Sequence, residues 1–231
     1  MKNKYPITGV ALGPGDPDLI TVKGLKALHN ADVIYYAATP KGERTISFSK
    51  RILDHYNLDV VCKPLMFPMT GENRDQFYQQ AFDILQADYQ TGLKVVMVTE
   101  GDLSFYSTFG YIMKLAKQND VPVVSIAGVP AFLAGIAQTS MPLVDGNHSF
   151  LNIARPDSFE QIQKSIDESN AVVVMKMNVL KGWYDFLKRN NRSFVYVEKV
   201  GTDEQFISTN FEDLEERKIP YFSLIIFPGV E

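Results

Sequence analysis

The 231-residue sequence predicts an α/β protein of two domains: residues 1–140 with a mostly parallel sheet, and residues 141–231 with a mixed sheet. Three observations carry that expectation. Through the first part, short apolar runs alternate with stretches of helical periodicity, the pattern of βα units whose strands are covered on both faces. Beyond residue 149, apolar runs outnumber helical stretches, as in a sheet that contains hairpins. Between the two, Met141-Pro142 and Asp145-Gly146-Asn147 interrupt both patterns and mark a linker.

Residues 7–12 are short and apolar enough for a buried strand, and Gly13-Pro14-Gly15-Asp16 turns the chain after it. Thr21 has the chemistry of a helix N-cap, with Val22, Leu25 and Leu28 following at helical spacing. A strand is expected at 32–36 and a loop at 37–44, through Thr39-Pro40-Lys41-Gly42. Helix resumes near Thr45, with Ile46, Ser49, Ile52, Leu53 and Tyr56 on one face. A strand at 60–65 and a helix from Glu72 to Tyr89 follow, the helix closing before Gly92. The almost unbroken apolar run at 94–99 suits a central parallel strand, and it ends in Glu100-Gly101-Asp102. A helix at 107–118, a strand at 121–127, the turn Gly128-Val129-Pro130 and a helix at 131–138 complete the first pattern. Three glycine-bearing loops thus fall after strands, where open α/β sheets gather ligands.

In the second part, strands are expected at 150–154, 171–177, 194–200, 205–209 and 221–227, and helices at 158–166 and 179–189. Gly201-Thr202-Asp203 is the expected hairpin turn between adjacent strands.

Composition excludes several function classes. A net charge of −4 with no basic tail argues against a nucleic-acid partner. Cys62 is the single cysteine, no Cys-x-x-Cys pair exists, and His29, His55 and His148 are too scattered for a metal site, so neither a disulfide nor a metal is expected. No signal-peptide pattern or membrane-length apolar run is present, and a cytoplasmic protein without a membrane partner is expected. The first glycine turn is not the dinucleotide fingerprint G-x-G-x-x-G: Ala11 takes an early slot and Pro14 removes an amide donor. On spacing alone it could equally be an ordinary tight turn.

In order and spacing, the segments at 9–21, 100–108 and 127–137 resemble the tetrapyrrole methylases that use S-adenosylmethionine. Glu100-Gly101-Asp102-Leu103-Ser104-Phe105-Tyr106-Ser107-Thr108, Tyr196-Val197-Glu198-Lys199-Val200-Gly201-Thr202 and Tyr221-Phe222-Ser223-Leu224 look like the branch that methylates C20 of precorrin-2 or cobalt-factor II. The resemblance covers nearly the whole chain. It implies a homodimer of two α/β domains, with the methyl donor in a cleft between the domains and the macrocycle above it. The chain departs from the family pattern at Ala11, where glycine is common, at Leu103, where Gly-Asp-Pro would be expected, and at Ala127 and Pro130, where Pro-Gly-Val-Ser is usual.

By that resemblance the S-adenosylmethionine site includes Gly101, Asp102, Leu103, Tyr106 and Ser107 of the loop after the fourth strand, Ala131 and Phe132 from the loop after the fifth, and Met177, Val200 and Ser223 of the second domain. Asp16 is the implied proton acceptor, with turn capping as its alternative role and Tyr35 or Tyr36 as rivals. A tetrapyrrole carries acetate and propionate groups, so an acidic protein must gather cations locally, and Lys41, Arg44, Arg155, Lys176 and Lys199 are the candidates. Each also reads as an ordinary surface cation. Lys176, inside an apolar run, fits a surface least well. His148 is more naturally a bystander than a ligand to a central cobalt. Methylation elsewhere on the macrocycle and a binding-only role remain as alternatives, whereas a nicotinamide dehydrogenase lacks its turn and its acidic ribose partner.

Overall fold

The computed structural model describes residues 4–41, 44–67 and 74–229. The chain divides into two compact units, Met1–Pro130 and Ala131–Glu231. The first unit ends before the Met141-Pro142 interruption, so the small-residue helix after the third glycine loop counts with the second.

In the first unit, β1 (Ile7–Ala11), β2 (Val33–Lys41), β3 (Arg44–Ile46), β4 (Val61–Met66), β5 (Val95–Thr99) and β6 (Val123–Ile126) form one sheet. Its order is β3-β2-β5-β1-β6, with β4 also paired to β2. All pairings are parallel except the β2–β3 hairpin. Side chains alternate between two cores. Ile7, Val33, Tyr35, Val95 and Met97 pack with Phe82 and Leu85 of α3 (Arg74–Gln90) and Phe109 and Ile112 of α4 (Phe109–Gln118). Val10, Ile34, Val96 and Val98 pack with Leu28 of α1 (Val22–His29) and Ile52 and Leu53 of α2 (Phe48–Leu53). Helices therefore cover both faces, which is why the strands read as unbroken apolar runs.

Gly9 makes room for this packing. A Cβ there would lie 2.4 Å from Cε1 of Phe109, whose ring is fully buried. Gly9→Ala is expected to cost about 1–3 kcal/mol of stability by overpacking, seen as a lower urea midpoint at unchanged slope.

The loop foreseen at 37–44 is instead strand as far as Lys41, turning into β3. Pro40 suggests a loop, but it pairs with Thr45 beyond the stretch of β2 that is flanked by β4 and β5, where a missing N–H is tolerated. The following helix starts at Phe48 rather than Thr45, because Ser47 caps it by accepting from the Lys50 N–H at 3.1 Å. The expected helix start at Glu72 lies outside the described residues.

The second unit opens with α5 (Ala131–Ala137). Its strands β7 (Phe150–Ile153), β8 (Ala171–Met175), β9 (Val195–Glu198), β10 (Phe206–Ser208) and β11 (Ser223–Phe227) lie in the order β10-β9-β11-β8-β7. Only β7–β8 is parallel, so the sheet is mixed as expected. On one face Val172, Val174, Tyr196, Ile225 and Phe227 pack with Ile162 and Ile166 of α6 (Phe159–Glu168) and Trp183 and Leu187 of α7 (Trp183–Arg189). On the other, α5 approaches β9 so closely that a Cβ on Gly135 would lie 3.1 Å from Val197. The strand foreseen at 171–177 ends at Met175: Lys176 adopts φ 53°, and Met177 begins a short 3-10 turn. Lys176 is thus outside the apolar strand and half-buried.

Candidate functional site

The first sheet has a topological switch point. From β1 the chain crosses to β2, beyond β5, and from β5 it crosses the opposite way to β6, beyond β1. Between such strands the crossovers splay apart and leave a crevice at the carboxyl ends. The loops that follow β1, β5 and β6 meet there.

Their contacts are backbone-rich. Leu12 N–H donates to Thr99 O at 2.9 Å, and Gly101 N–H donates to Gly13 O at 2.7 Å, closing an isolated antiparallel bridge between the first two loops. Gly13 at φ 80° and Gly101 at φ 66° supply the left-handed backbone. Asp102 ties in the third loop: Oδ2 accepts from Gly128 N–H at 2.8 Å, while Oδ1 accepts from the amide and hydroxyl of Ser104. A Cβ on Gly128 would sit 2.5 Å from both Ala11 Cβ and Gly101 O, so only glycine permits the approach. Thr21, which caps α1 through Gly24 N–H, also reaches Ala127 O at 3.4 Å.

Supporting bonds fix each loop from behind. Ser107 and Thr99 hydroxyls are 3.0 Å apart, and Ser107 Oγ accepts from Phe109 N–H at the start of α4. Glu100 Oε1 accepts from both the amide and the hydroxyl of buried Ser49, at 2.9 and 2.7 Å. Tyr56 donates to Pro17 O at 2.7 Å, and burial with the charges of Asp18 and Asp16 pushes its phenol up to about 12. The mouth above Gly101 is open, since a side chain there would meet no atom within 4 Å. That space lies beside the switch point, where open α/β sheets bind their ligands.

The profile of the tetrapyrrole (corrin/porphyrin) methylases matches residues 6–215. The chain belongs to the tetrapyrrole methylases. It is 28% identical over 95% of its length to a probable cobalt-precorrin-2 C(20)-methyltransferase of Methanocaldococcus jannaschii, covering 94% of that protein. It is 30% identical over 96% of its length to a precorrin-2 C(20)-methyltransferase of Sinorhizobium sp, covering 95% of it. Among solved structures, a cobalt precorrin-4 methyltransferase aligns with a TM-score of 0.72 at 22% identity, over 95% of this chain and 93% of that one. A Thermus thermophilus uroporphyrin-III C-methyltransferase complexed with S-adenosyl homocysteine aligns at 0.66 and 21% identity, over 96% of each chain. Both share the fold.

Within this tetrapyrrole methylase, the expected donor residues divide by unit. Gly101, Asp102 and Ser107 lie in the converging loops of the first. Leu103 is only 3% exposed and anchors the loop in the core beside Phe109, so the departure from Gly-Asp-Pro leaves a well-held turn. Tyr106 is 58% exposed and left-handed at φ 54°, an uncommon state for a bulky residue. In the second unit, Ala131 and Phe132 begin α5, and Phe132 stacks on Phe150 at 5.3 Å. Met177 is fully buried, its carbonyl accepting from the Trp183 indole at 2.9 Å. Val200 is buried, and Ser223 donates its hydroxyl to Pro220 O at 2.7 Å.

Asp16 caps the 3-10 turn Pro17–Leu19, its Oδ1 accepting from Asp18 N–H at 2.9 Å. Its rival Tyr35 is buried in the sheet and donates to Asp88, far from free proton exchange; burial and that carboxylate both push its phenol upward. Tyr36 is buried too, and His148 is exposed. Of the candidate cations, Arg155 is exposed after β7, and Lys199 pairs with Glu204. The side chains of Lys41 and Arg44 lie outside the described residues. Among the described residues, no cluster of three or more His, Cys, Asp or Glu is placed to hold a metal ion.

The role of Asp102 has a pH signature. Burial pushes its carboxyl up, but the bonds from the Ser104 hydroxyl, Gly128 N–H and Ser104 N–H outweigh burial and hold it below the ordinary range. A depressed folded value stabilises the protein above the unfolded carboxyl pKa of about 4, and that stabilisation is lost as pH falls through the folded value. Urea unfolding should therefore find Asp102→Asn less stable than the native chain at pH 7, with the gap narrowing by pH 3.

Proposed function

We propose that this tetrapyrrole methylase transfers a methyl group from S-adenosylmethionine to C20 of precorrin-2 or cobalt-factor II in corrin biosynthesis. Similarity along nearly the whole chain to two C(20)-methyltransferases carries the proposal, and the built crevice at the switch point supports it. When bound, S-adenosylmethionine supplies an electrophilic methyl group on a sulfonium. The protein's share is to hold that group, orient the ring carbon, exclude water and accept the proton that the carbon sheds.

In the first unit, the backbone of Gly101, Asp102, Leu103 and Ser107 serves the adenosyl ligand, with Tyr106 covering it. In the second, Ala131, Phe132, Met177, Val200 and Ser223 act mostly through shape and backbone groups. Asp16 takes the ring proton through the carboxylate that also caps its turn. Arg155, Lys176 and Lys199 meet the carboxylates of the macrocycle. The working form is a cytoplasmic homodimer, a state that light scattering would test. No helix among the described residues is long and apolar enough to cross a membrane.

The deciding experiment is anaerobic incubation of the purified protein with S-adenosylmethionine and either precorrin-2 or cobalt-factor II. One added methyl at C20 is expected. Methylation at another ring position, or binding of the methyl donor without transfer to either ring, would sink the assignment. Asp16→Asn is expected to lower kcat by about 10²–10³, in the range general-base catalysis contributes, with the affinity for S-adenosylhomocysteine unchanged.

A further inference from the structure

Gly101 stands at the crevice with no packing of its own: a side chain there would meet no atom within 4 Å, and glycine by itself does not enforce its φ of 66°. Its place is set by other contacts. Its N–H donates to Gly13 O at 2.7 Å, and an acid flanks it on each side in the chain. Asp102 reaches the third loop through Gly128 N–H at 2.8 Å. Glu100 reaches α2.

The Glu100 contact joins elements 51 residues apart, Oε1 accepting from Ser49 N–H at 2.9 Å and from the Ser49 hydroxyl at 2.7 Å. Two bonds from one residue fix the carboxylate in orientation as well as distance, and bonds to an ionised acceptor are the stronger kind. Ser49 is fully buried, whereas Glu100 is half-buried, so the serine is the anchor and the acid with its loop is what it holds. The helix has its own cap: Ser47 Oγ accepts from Lys50 N–H at 3.1 Å and donates to Ala37 O of β2 at 2.6 Å. Thus α2 is tied to the sheet by its own residues, and Glu100 fastens the loop before Gly101 to that fixed point.

We propose that Glu100 is a positioning residue for the methyl donor: through Ser49 it holds the peptide between Glu100 and Gly101 in place for the donor's polar groups, and its carboxylate touches no ligand itself. The proposal rests on the methylase reading for the identity of that ligand, S-adenosylmethionine. Preorganised backbone groups bind without first having to be ordered, and that advantage goes with the bonds that hold them.

S-adenosylhomocysteine is the probe, titrated calorimetrically into the full chain. Glu100→Ala should weaken its binding about tenfold, the effect of one charge-assisted bond, and Ser49→Ala, which keeps the N–H bond, about threefold. Glu100→Gln retains an acceptor oxygen for both Ser49 bonds and should restore binding to within threefold of the native chain. Because Glu100→Ala and Ser49→Ala remove the same contact, the double variant should bind no more weakly than Glu100→Ala alone. In turnover, Glu100→Ala should raise the KM for S-adenosylmethionine about tenfold and leave the tetrapyrrole KM within twofold. Probe binding within twofold of native in Glu100→Ala would overturn the role, as would fully additive losses in the double variant. A Glu100→Gln variant as weak as Glu100→Ala would overturn it too, since the charge itself would then be acting on the ligand. Should Glu100→Ala fail to fold, Ser49→Ala decides, and undiminished binding there overturns the role. If probe binding follows these variants yet neither precorrin-2 nor cobalt-factor II is methylated, the positioning role stands and the C20 assignment fails. If methylation proceeds with donor KM unaltered in Glu100→Ala, the positioning role fails alone.

Discussion

Gly128→Ala is expected to abolish measurable binding of S-adenosylhomocysteine and to destabilise the protein by about 3 kcal/mol, combining overpacking with the loss of a charge-assisted hydrogen bond. The added carbon would stand 2.5 Å from a backbone oxygen, Gly101 O, and from Ala11 Cβ. Neither atom is the movable end of a long side chain, so the third loop must retreat. Retreat breaks the 2.8 Å bond from Gly128 N–H to Asp102 and releases the carboxylate that holds the second loop. Two other glycines supply contrasts. Gly101→Ala meets no atom within 4 Å but must keep φ 66°, so about 1 kcal/mol of backbone strain is expected without steric collapse. Gly110→Ala, inside α4 and unobstructed, should stabilise by about 0.5–1 kcal/mol. Thermal melts and calorimetric titration of the three variants separate crowding from strain and from simple helix propensity.

The second large effect lies in the other unit. Glu198 is only 5% exposed at the end of β9 and accepts Arg217 Nε at 2.6 Å and a second guanidinium nitrogen at 2.9 Å, together with the Tyr196 hydroxyl. The guanidinium also lies 3.5 Å from the centre of the Phe206 ring. Arg217→Ala leaves a buried carboxylate without its cation, and a loss of about 3–5 kcal/mol is expected. Removing the whole polar set should cost far less. Tyr196→Phe, Glu198→Leu and Arg217→Met combined replace desolvated charge with apolar packing, and chemical denaturation should place the triple variant closer to the native chain than to Arg217→Ala. Equal losses in the two would mean that the network stabilises by more than mutual neutralisation.

These two cases mark what a sequence discloses and what it withholds. Apolar runs, the Thr21 cap and the glycine turns act over a few residues, so the βα order of the first unit and the hairpin at Gly201 were legible. The convergence of the three loops was foreseeable in outline, because each glycine turn follows a strand of one parallel sheet. Its bonds were not: Asp102 and Gly128 are 26 residues apart, and Glu100 and Ser49 are 51 apart. Glu198 gave a partial signal, as an acid following Tyr196-Val197 in an apolar strand. Its partner gave none, since Arg217 belongs to no regular element. Pro40 misled because a residue that ends most strands is tolerated where only a hairpin partner remains. The left-handed backbone of Lys176 was invisible for a related reason: backbone torsion is imposed by the strand end, while lysine itself carries no preference for it.

The pairing of β1 bears on how the molecule is made. Both neighbours of β1 arrive late in the chain, β5 at Val95–Thr99 and β6 at Val123–Ile126. At bacterial-type elongation rates, the first strand and its glycine turn wait on the order of ten seconds before a partner strand exists. A strand made that far ahead of both its neighbours is fixed late, and until then its two open edges are free to pair with another chain.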